Sequence, residues 1–203
     1  MNMGKLITVV VSLVVLSIPG VASANLLTNG SFESTGPQGH STGWTVDWNA
    51  GNQAGVADNP QSGLWELRNF NDGGMFQDVA VTVGQAYRLT GWAYIPSGAG
   101  GSPWGTYIGI KFLNSTGGTV LAKQIDMQGL ARDVYNKADT NDMLAPVGAV
   151  TARIRFGTWA TDPWLPVNPT DFDNFDFNAV PEPASLLLLG SGLVGLIGLT
   201  RKK

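Results

Sequence analysis

Hydrophobic and polar residues alternate through the middle of the chain with the period of a β-strand. From Tyr87 to Ile95 every second residue is apolar or glycine, and the residues between them include Arg88 and Thr90. Such alternation sends successive side chains to opposite faces of a strand. A second strand-like run, Val79–Val83, precedes this segment across Gly84-Gln85. We therefore expect these two strands to form a hairpin.

Four further segments predict strands, and two of them flank a polar, glycine-rich loop that suits a hairpin. They are Thr106–Leu113 and Thr119–Asp126, joined by residues 114–118, and then Val150–Phe156 and Phe172–Phe177. Residues 25–180 contain no amphipathic helix pattern of three turns. Many short strands separated by Gly, Pro, Asn and Asp predict an all-β sandwich or barrel.

The N-terminal residues have the pattern of a secretory signal peptide. Lys5 precedes the 13-residue apolar run Leu6–Ile18, and Ala22-Ser23-Ala24 provides small residues for cleavage after Ala24. A buried N-terminal helix is the alternative. The signal peptide interpretation assigns residues 1–24 to a removable leader and begins the mature body at Asn25.

The C-terminal residues have the pattern of a membrane helix. Ala184–Thr200 is a run of 17 uncharged residues, at the short end of what a helix needs to cross a bilayer. Arg201-Lys202-Lys203 follows and places the C-terminus in the cytoplasm by the positive-inside rule. Composition alone leaves an ordinary C-terminal anchor as an alternative.

Charge and cysteine content narrow the function of the body, residues 25–180. Without the two ends, eight cations and 14 acids remain, which gives a net charge of −6. An acidic body without a basic stripe argues against nucleic acid as a partner. The chain has no cysteine, so neither a disulfide nor a thiolate site contributes to an exported domain.

The order of the C-terminal features is more specific than their composition. Val180-Pro181-Glu182-Pro183, the glycine-rich apolar run and the terminal basic residues closely resemble the PEP-CTERM sorting signal of Gram-negative, exopolysaccharide-producing bacteria. The resemblance assigns residues 181–203 to this signal, with Pro181, Glu182 and Pro183 as its motif. It implies processing by a membrane-embedded exosortase, a temporary anchor in the inner membrane, and release or surface attachment of the body.

The two ends of the body narrow the fold. The segment Asn25–Glu33, followed by Gly43-Trp44, resembles the opening of carbohydrate-binding modules with a galactose-binding-like jelly roll. Phe172–Phe177 resembles the closing strand of the same modules, where an acidic residue sits between apolar ones. The resemblance implies a two-sheet jelly-roll β-sandwich over residues 25–180.

In that family the first and last strands often share a structural calcium ion. The matching positions in this chain are Glu33 and Asp173. Calcium takes six to eight oxygen ligands and combines carboxylates with backbone carbonyls. The alternative is that both acids are solvated or hydrogen-bonded residues at strand ends.

Candidate sugar-binding residues come from the aromatic content. Trp104 and Trp164 each lie beside proline in a predicted loop, where a ring can be held rigidly against solvent. An aromatic face stacks against the C–H face of a pyranose, and Trp159 and Tyr107 could join such a platform. The alternative is that these rings close the ends of the sandwich.

The sequence offers little support for catalysis. The single histidine, His40, lies in a polar loop without a nucleophile-elbow motif. In a regular strand Asp171 and Asp173 share one face and Asp176 lies on the other, and nothing marks a catalytic carboxylate pair.

We therefore expect an exported, non-enzymatic protein that binds carbohydrate, with exopolysaccharide as the expected ligand, at the outer surface or in the extracellular matrix. The alternatives are a structural surface or biofilm-matrix protein that uses the jelly roll for protein contacts, and a polysaccharide-degrading enzyme.

Overall fold

The computed structural model describes residues 24–34, 41–49, 53–70, 72–97, 105–127, 129–159 and 169–181. The predicted leader, the predicted helix 184–200, His40, Trp104 and Trp164 lie outside these residues. No helix among the described residues has the length and hydropathy that a membrane crossing requires.

The described residues form eleven strands. These are β1 (Thr45–Trp48), β2 (Gln53–Val56), β3 (Glu66–Asn69), β4 (Gly73–Ala80), β5 (Ala86–Tyr94), β6 (Thr106–Leu113), β7 (Thr119–Asp126), β8 (Tyr135–Asp139), β9 (Met143–Leu144), β10 (Thr151–Thr158) and β11 (Thr170–Ala179). One sheet has five strands in the order β1-β4-β10-β6-β7. The other has six, in the order β2-β3-β11-β5-β8, with β9 also paired to β5. All pairs are antiparallel, and the two-sheet β-sandwich is confirmed.

Aromatic side chains fill the space between the sheets. The ring of Phe156 in β10 lies 4.6 Å from that of Phe172 and 4.9 Å from that of Phe175, both in β11 of the other sheet. Trp44 packs edge-on against Phe156 at 5.1 Å. Each such side chain contributes about 1.5–3 kcal/mol when buried, so these contacts hold the two sheets together without a disulfide.

The alternation of side chains along β5 is as predicted. The prediction of a hairpin between Val79 and Ile95 is wrong. β4 belongs to the five-stranded sheet and β5 to the six-stranded sheet, so residues 81–85 cross from one sheet to the other. Val81 N–H donates to Val150 O at 3.1 Å instead of pairing with β5. Alternation shows which side chains face the core, but two strands on opposite sides of one core have the same pattern as two neighbours in a sheet.

The second predicted hairpin is confirmed. β6 and β7 pair directly, and the loop between them is closed by Asn114. Its N–H donates to Gly118 O at 2.9 Å, and its side-chain oxygen accepts from Gly118 N–H at 2.8 Å.

The last strand contains a β-bulge that changes its faces. The register with β5 shifts between Asp173 and Asp176, where Asn174 has a φ of 49°. The extra residue lets Phe172 and Phe175 both enter the core. Asp176 therefore lies on the same outer face as Asp171 and Asp173, and its predicted position on the opposite face is wrong.

Candidate functional site

Three aromatic rings lie side by side on the outer face of the five-stranded sheet. They belong to Trp48 at the end of β1, Tyr107 in β6 and Trp159 just beyond β10, and we call them the aromatic strip. Trp48 and Tyr107 are nearly parallel, with ring centroids 6.2 Å apart and an interplanar angle of 7°. Tyr107 and Trp159 have centroids 5.3 Å apart and are tilted by 36°.

Glycines beneath the strip allow the indoles to lie against the sheet. A Cβ at Gly74 would be 2.2 Å from Trp48 Cζ3, and one at Gly157 would be 2.6 Å from Trp48 Cη2. A Cβ at Gly105 would be 1.9 Å from Trp159 Cε2. Any larger residue at these positions would push the rings away from the strands.

Polar groups border the strip. The guanidinium carbon of Arg155 is 5.0 Å from the Tyr107 ring centroid and 5.7 Å from that of Trp48. Arg155 Nη2 donates to Asp47 Oδ2 at 2.9 Å, and Trp48 Nε1 donates to Asp72 Oδ1 at 3.0 Å. The strip thus has hydrogen-bond donors and acceptors beside its aromatic faces, as a sugar-binding surface requires.

Two buried polar atoms beside the strip have no hydrogen-bond partner among the described residues. They are the Tyr107 hydroxyl and Arg155 Nε. Burial is also the main reason that the pKa of Tyr107 is raised, so the phenol stays neutral.

The structure brings Tyr107 and Trp159 together, as the platform hypothesis supposed. Tyr107 is only 2% exposed, so its ring supports the neighbouring indoles instead of offering a free face. Trp48 and Trp159 are both partly exposed. The sequence pattern does not indicate Trp48 as a member of the strip, because β1 has only four residues and no clear alternation. The roles of Trp104, Trp159, Trp164 and Tyr107 in sugar binding stay predictions.

Glu33 and Asp173, the predicted calcium ligands, meet at the loop formed by residues 61–65. Glu33 Oε1 accepts from Leu64 N–H at 3.0 Å and from Trp65 N–H at 3.1 Å. Asp173 Oδ2 accepts from Ser62 N–H at 3.1 Å. The two carboxylates therefore hold this loop against β11.

The Glu33–Asp173 pair has some, but not all, of the features of a cation site. Asp173 is fully buried, and burial raises its pKa to about 6, with the nearby charge of Glu33 adding to the effect. A bound cation would offset both the cost of burying the Asp173 carboxylate and its repulsion by Glu33. Among the residues that the structure describes, no three His, Asp or Glu side chains gather as a metal site, so backbone carbonyls or waters would have to supply the other ligands. Calcium stays a prediction.

A second polar cluster lies on the outer face of the six-stranded sheet. Arg68 makes a two-point contact with Asp171, with Nε–Oδ1 at 2.6 Å and Nη2–Oδ2 at 2.9 Å. The Tyr135 hydroxyl donates to Glu66 Oε2 at 2.6 Å. Burial and the charge of Asp171 raise the pKa of Glu66 to about 7 despite this bond and Arg68. Both carboxylates accept hydrogen bonds from protein side chains.

Comparisons with known proteins bear on both parts of the chain. Residues 179–202 match the PEP-CTERM protein-sorting motif. No curated protein matches the sequence.

Solved structures match the body. A family 61 carbohydrate-binding module in complex with β-1,4-galactotriose has a TM-score of 0.53 at 17% identity, over 78% of this chain and 100% of that one. A family 16 carbohydrate-binding module has a TM-score of 0.56 at 16% identity, over 75% and 99%. The CBM22-1 xylan-binding domain from Paenibacillus barcinonensis Xyn10C has a TM-score of 0.53 at 16% identity, over 80% and 98%.

At this level of identity the structural likeness establishes the fold, and the predicted jelly-roll-like sandwich is confirmed. The match at residues 179–202 confirms the predicted sorting signal. The motif indicates export and anchoring through the C-terminus before exosortase cleavage. The chain thus carries a PEP-CTERM sorting motif behind a body with the fold of carbohydrate-binding modules.

Proposed function

We propose that this protein is a non-catalytic polysaccharide-binding module and that the aromatic strip is its binding surface. The observation that carries the proposal is the row formed by Trp48, Tyr107 and Trp159 on a glycine floor, with Arg155 and Asp47 beside it. The ligand is a neutral or weakly charged glycan, because the body itself is acidic and the arginine beside the strip is paired.

Binding would combine stacking with hydrogen bonding. The partly exposed faces of Trp48 and Trp159 accept the C–H faces of sugar rings, since an aromatic face carries partial negative charge. Arg155 supplies N–H donors and Asp47 supplies carboxylate acceptors for sugar hydroxyls.

The sorting motif suggests where the glycan comes from. In this proposal, processing by an exosortase delivers the protein to the outer surface or the extracellular matrix, where it would meet the cell's own exopolysaccharide. We assign exopolysaccharide as the ligand on this ground, together with the fold.

Affinity electrophoresis tests the proposal. Gels containing galactan, xylan or exopolysaccharide from an exosortase-containing bacterium should retard the protein, and Trp48→Ala and Trp159→Ala should each weaken binding about tenfold or more, or about 1.4 kcal/mol per ring. Trp65→Ala is the matched control, because Trp65 is exposed but lies on the loop held by Glu33. Unchanged retardation of both strip variants would contradict the proposal.

We also propose that Glu33 and Asp173 bind a structural calcium ion. The ion would neutralise the buried Asp173 carboxylate and fix the loop of residues 61–65 on the closing strand. This role is independent of sugar binding, and a melting temperature that calcium raises relative to chelator would support it.

A further inference from the structure

The point at which the chain leaves the folded body is fixed. Val180 N–H donates to Ala86 O at 2.8 Å, and Gln85 Nε2 donates to Val180 O at 2.7 Å. Pro181, the first residue of the Pro-Glu-Pro segment, is exposed directly beyond this anchor. The folded body thus reaches into the matched motif, which begins at residue 179, and ends just before its Pro-Glu-Pro segment.

The distance from this anchor to the bilayer is short. Four Cα steps separate Val180 from Ala184, which is at most about 14 Å. If the 17 uncharged residues that follow form the helix that the sequence predicts, it would be about 26 Å long against a hydrocarbon core of about 30 Å, so the membrane would need all of them. Headgroups occupy about 5–7 Å of the remaining distance. With such a helix in the bilayer and the tail intact, this end of the body would lie close to the lipid surface.

Two connections surround the exit. Residues 81–85 and 143–150 are joined by the bonds Gly84 N–H to Ala145 O and Ala145 N–H to Gln85 O, both at 2.9 Å. Because Gln85 also holds Val180, both connections lie beside the departing chain.

These connections expose aliphatic side chains to solvent. Val147 is 88% exposed, Leu144 64%, Val83 46% and Val150 45%, and we call these four residues the exit patch. None of the four belongs to the hydrophobic core. Arg88 is the cation of β5 near the patch, and it is paired with Asp139.

We infer that the exit patch is a membrane-contact surface that seats the body on the outer leaflet of the inner membrane before cleavage. The four side chains of the patch carry no charge, so apolar burial in the interface drives the contact. Seating holds Pro181 at a constant height above the bilayer for the exosortase. A few aliphatic side chains bind a bilayer only weakly, so the body detaches once the tail is removed. The inference rests on the sorting motif and goes beyond carbohydrate binding.

Site-specific fluorescence on the full chain tests this inference. The chain has no cysteine, so Val147→Cys and Val134→Cys each carry a single environment-sensitive label. Val134 is the matched control, because it is 48% exposed and precedes Tyr135, which pairs with the far end of β5. In phosphatidylcholine vesicles with a headgroup-attached quencher, quenching should be several-fold stronger at position 147 than at position 134.

A second variant separates contact from simple tethering. Adding Leu144→Asp and Val83→Asp to the Val147→Cys chain should reduce quenching to the level of the control, with an unchanged near-UV circular dichroism spectrum. Equal quenching at positions 147 and 134 would overturn the inference. A label at position 147 that lipid does not quench, but whose emission changes with the protein-to-lipid ratio, would assign the patch to a second copy of the chain and would also overturn it. Either result leaves the test of sugar binding unaffected.

Discussion

Glu66 and Asp173 are buried carboxylates whose pKa values lie above those of free side chains. Burial raises the pKa of Glu66 from 4.5 to about 7 and that of Asp173 from 3.8 to about 6. The folded protein therefore holds protons that the unfolded chain releases. A protein that binds more protons when folded loses stability as the pH rises. As the pH rises from about 4 to about 7, ionisation of these two groups lowers the free energy of unfolding of the body. The decrease is complete above about pH 7.

The first prediction concerns this pH dependence. In the presence of a chelator, the free energy of unfolding should be lower at pH 8 than at pH 5, and Glu66→Gln should reduce the difference by about 1–3 kcal/mol. Denaturant unfolding at the two pH values measures it. Asp142→Asn is the control, since this side chain is 54% exposed and should leave the difference unchanged. A Glu66→Gln variant with the full pH dependence would contradict the assignment.

The second prediction concerns calcium. An ion that binds only the folded state raises its stability, by about 2.7 kcal/mol at 100 times the dissociation constant. Calcium should therefore raise Tm relative to chelator, and it should remove the contribution of Asp173 to the pH dependence, because the ion favours the charged carboxylate. Asp173→Asn and Glu33→Gln should abolish the rise, whereas Glu66→Gln should keep it. An unchanged Tm at saturating calcium would remove Glu33 and Asp173 as ligands.

At the scale of strands, the aromatic strip depends on glycines in β4 and β10 and on the glycine just before β6. The third prediction is that Gly74→Ala weakens polysaccharide binding, because its Cβ would displace the Trp48 ring. The overpacking should cost about 1–3 kcal/mol of stability and change the tryptophan emission spectrum. Gly129→Ala is the matched control, because no atom lies within 4 Å of its added Cβ. Full binding by Gly74→Ala would show that the position of Trp48 is unimportant.

The sequence predicts the long strands well because their alternation is long. β5 shows the predicted pattern of buried and exposed residues, and β6 and β7 form the predicted hairpin. β1, β2 and β3 have four residues each, too few for a clear period, and they were not predicted. The crossing of residues 81–85 between sheets depends on long-range packing, which local alternation does not record.

Part of the candidate site can be predicted from the sequence. Aromatic residues near predicted loops can be recognised there, and the structure places Tyr107 and Trp159 side by side. Trp48 joins them only because β1 pairs with β4, a contact between residues that are distant along the chain. Asp171 and Arg68 form their ion pair across β11 and β3, which is equally invisible to local pattern. The bulge in β11 forms at Asn174, which has a positive φ. Asparagine often has a positive φ in turns, so an asparagine within a strand-like sequence does not by itself predict a bulge.

At the scale of the whole molecule, the aromatic strip and the exit patch lie at opposite ends of one strand. β10 begins beside Val150 of the exit patch and ends at Thr158, next to Trp159 of the strip. Eight residues of strand span about 26 Å. A body seated on the bilayer by the exit patch therefore holds the strip well above the headgroups, where polysaccharide can reach it before the tail is removed.

This separation gives the last prediction. Vesicles that carry the full chain should be retained on immobilised polysaccharide, with an affinity within about twofold of that of detergent-solubilised chain, since a ratio of two corresponds to only about 0.4 kcal/mol. Trp48→Ala vesicles should pass through, because stacking is lost. Leu144→Asp vesicles should still be retained, since the exit patch takes no part in stacking. If the unmodified chain lost its retention once it was inserted into vesicles, the bilayer would be covering the strip. The length of β10 would then not separate the two surfaces.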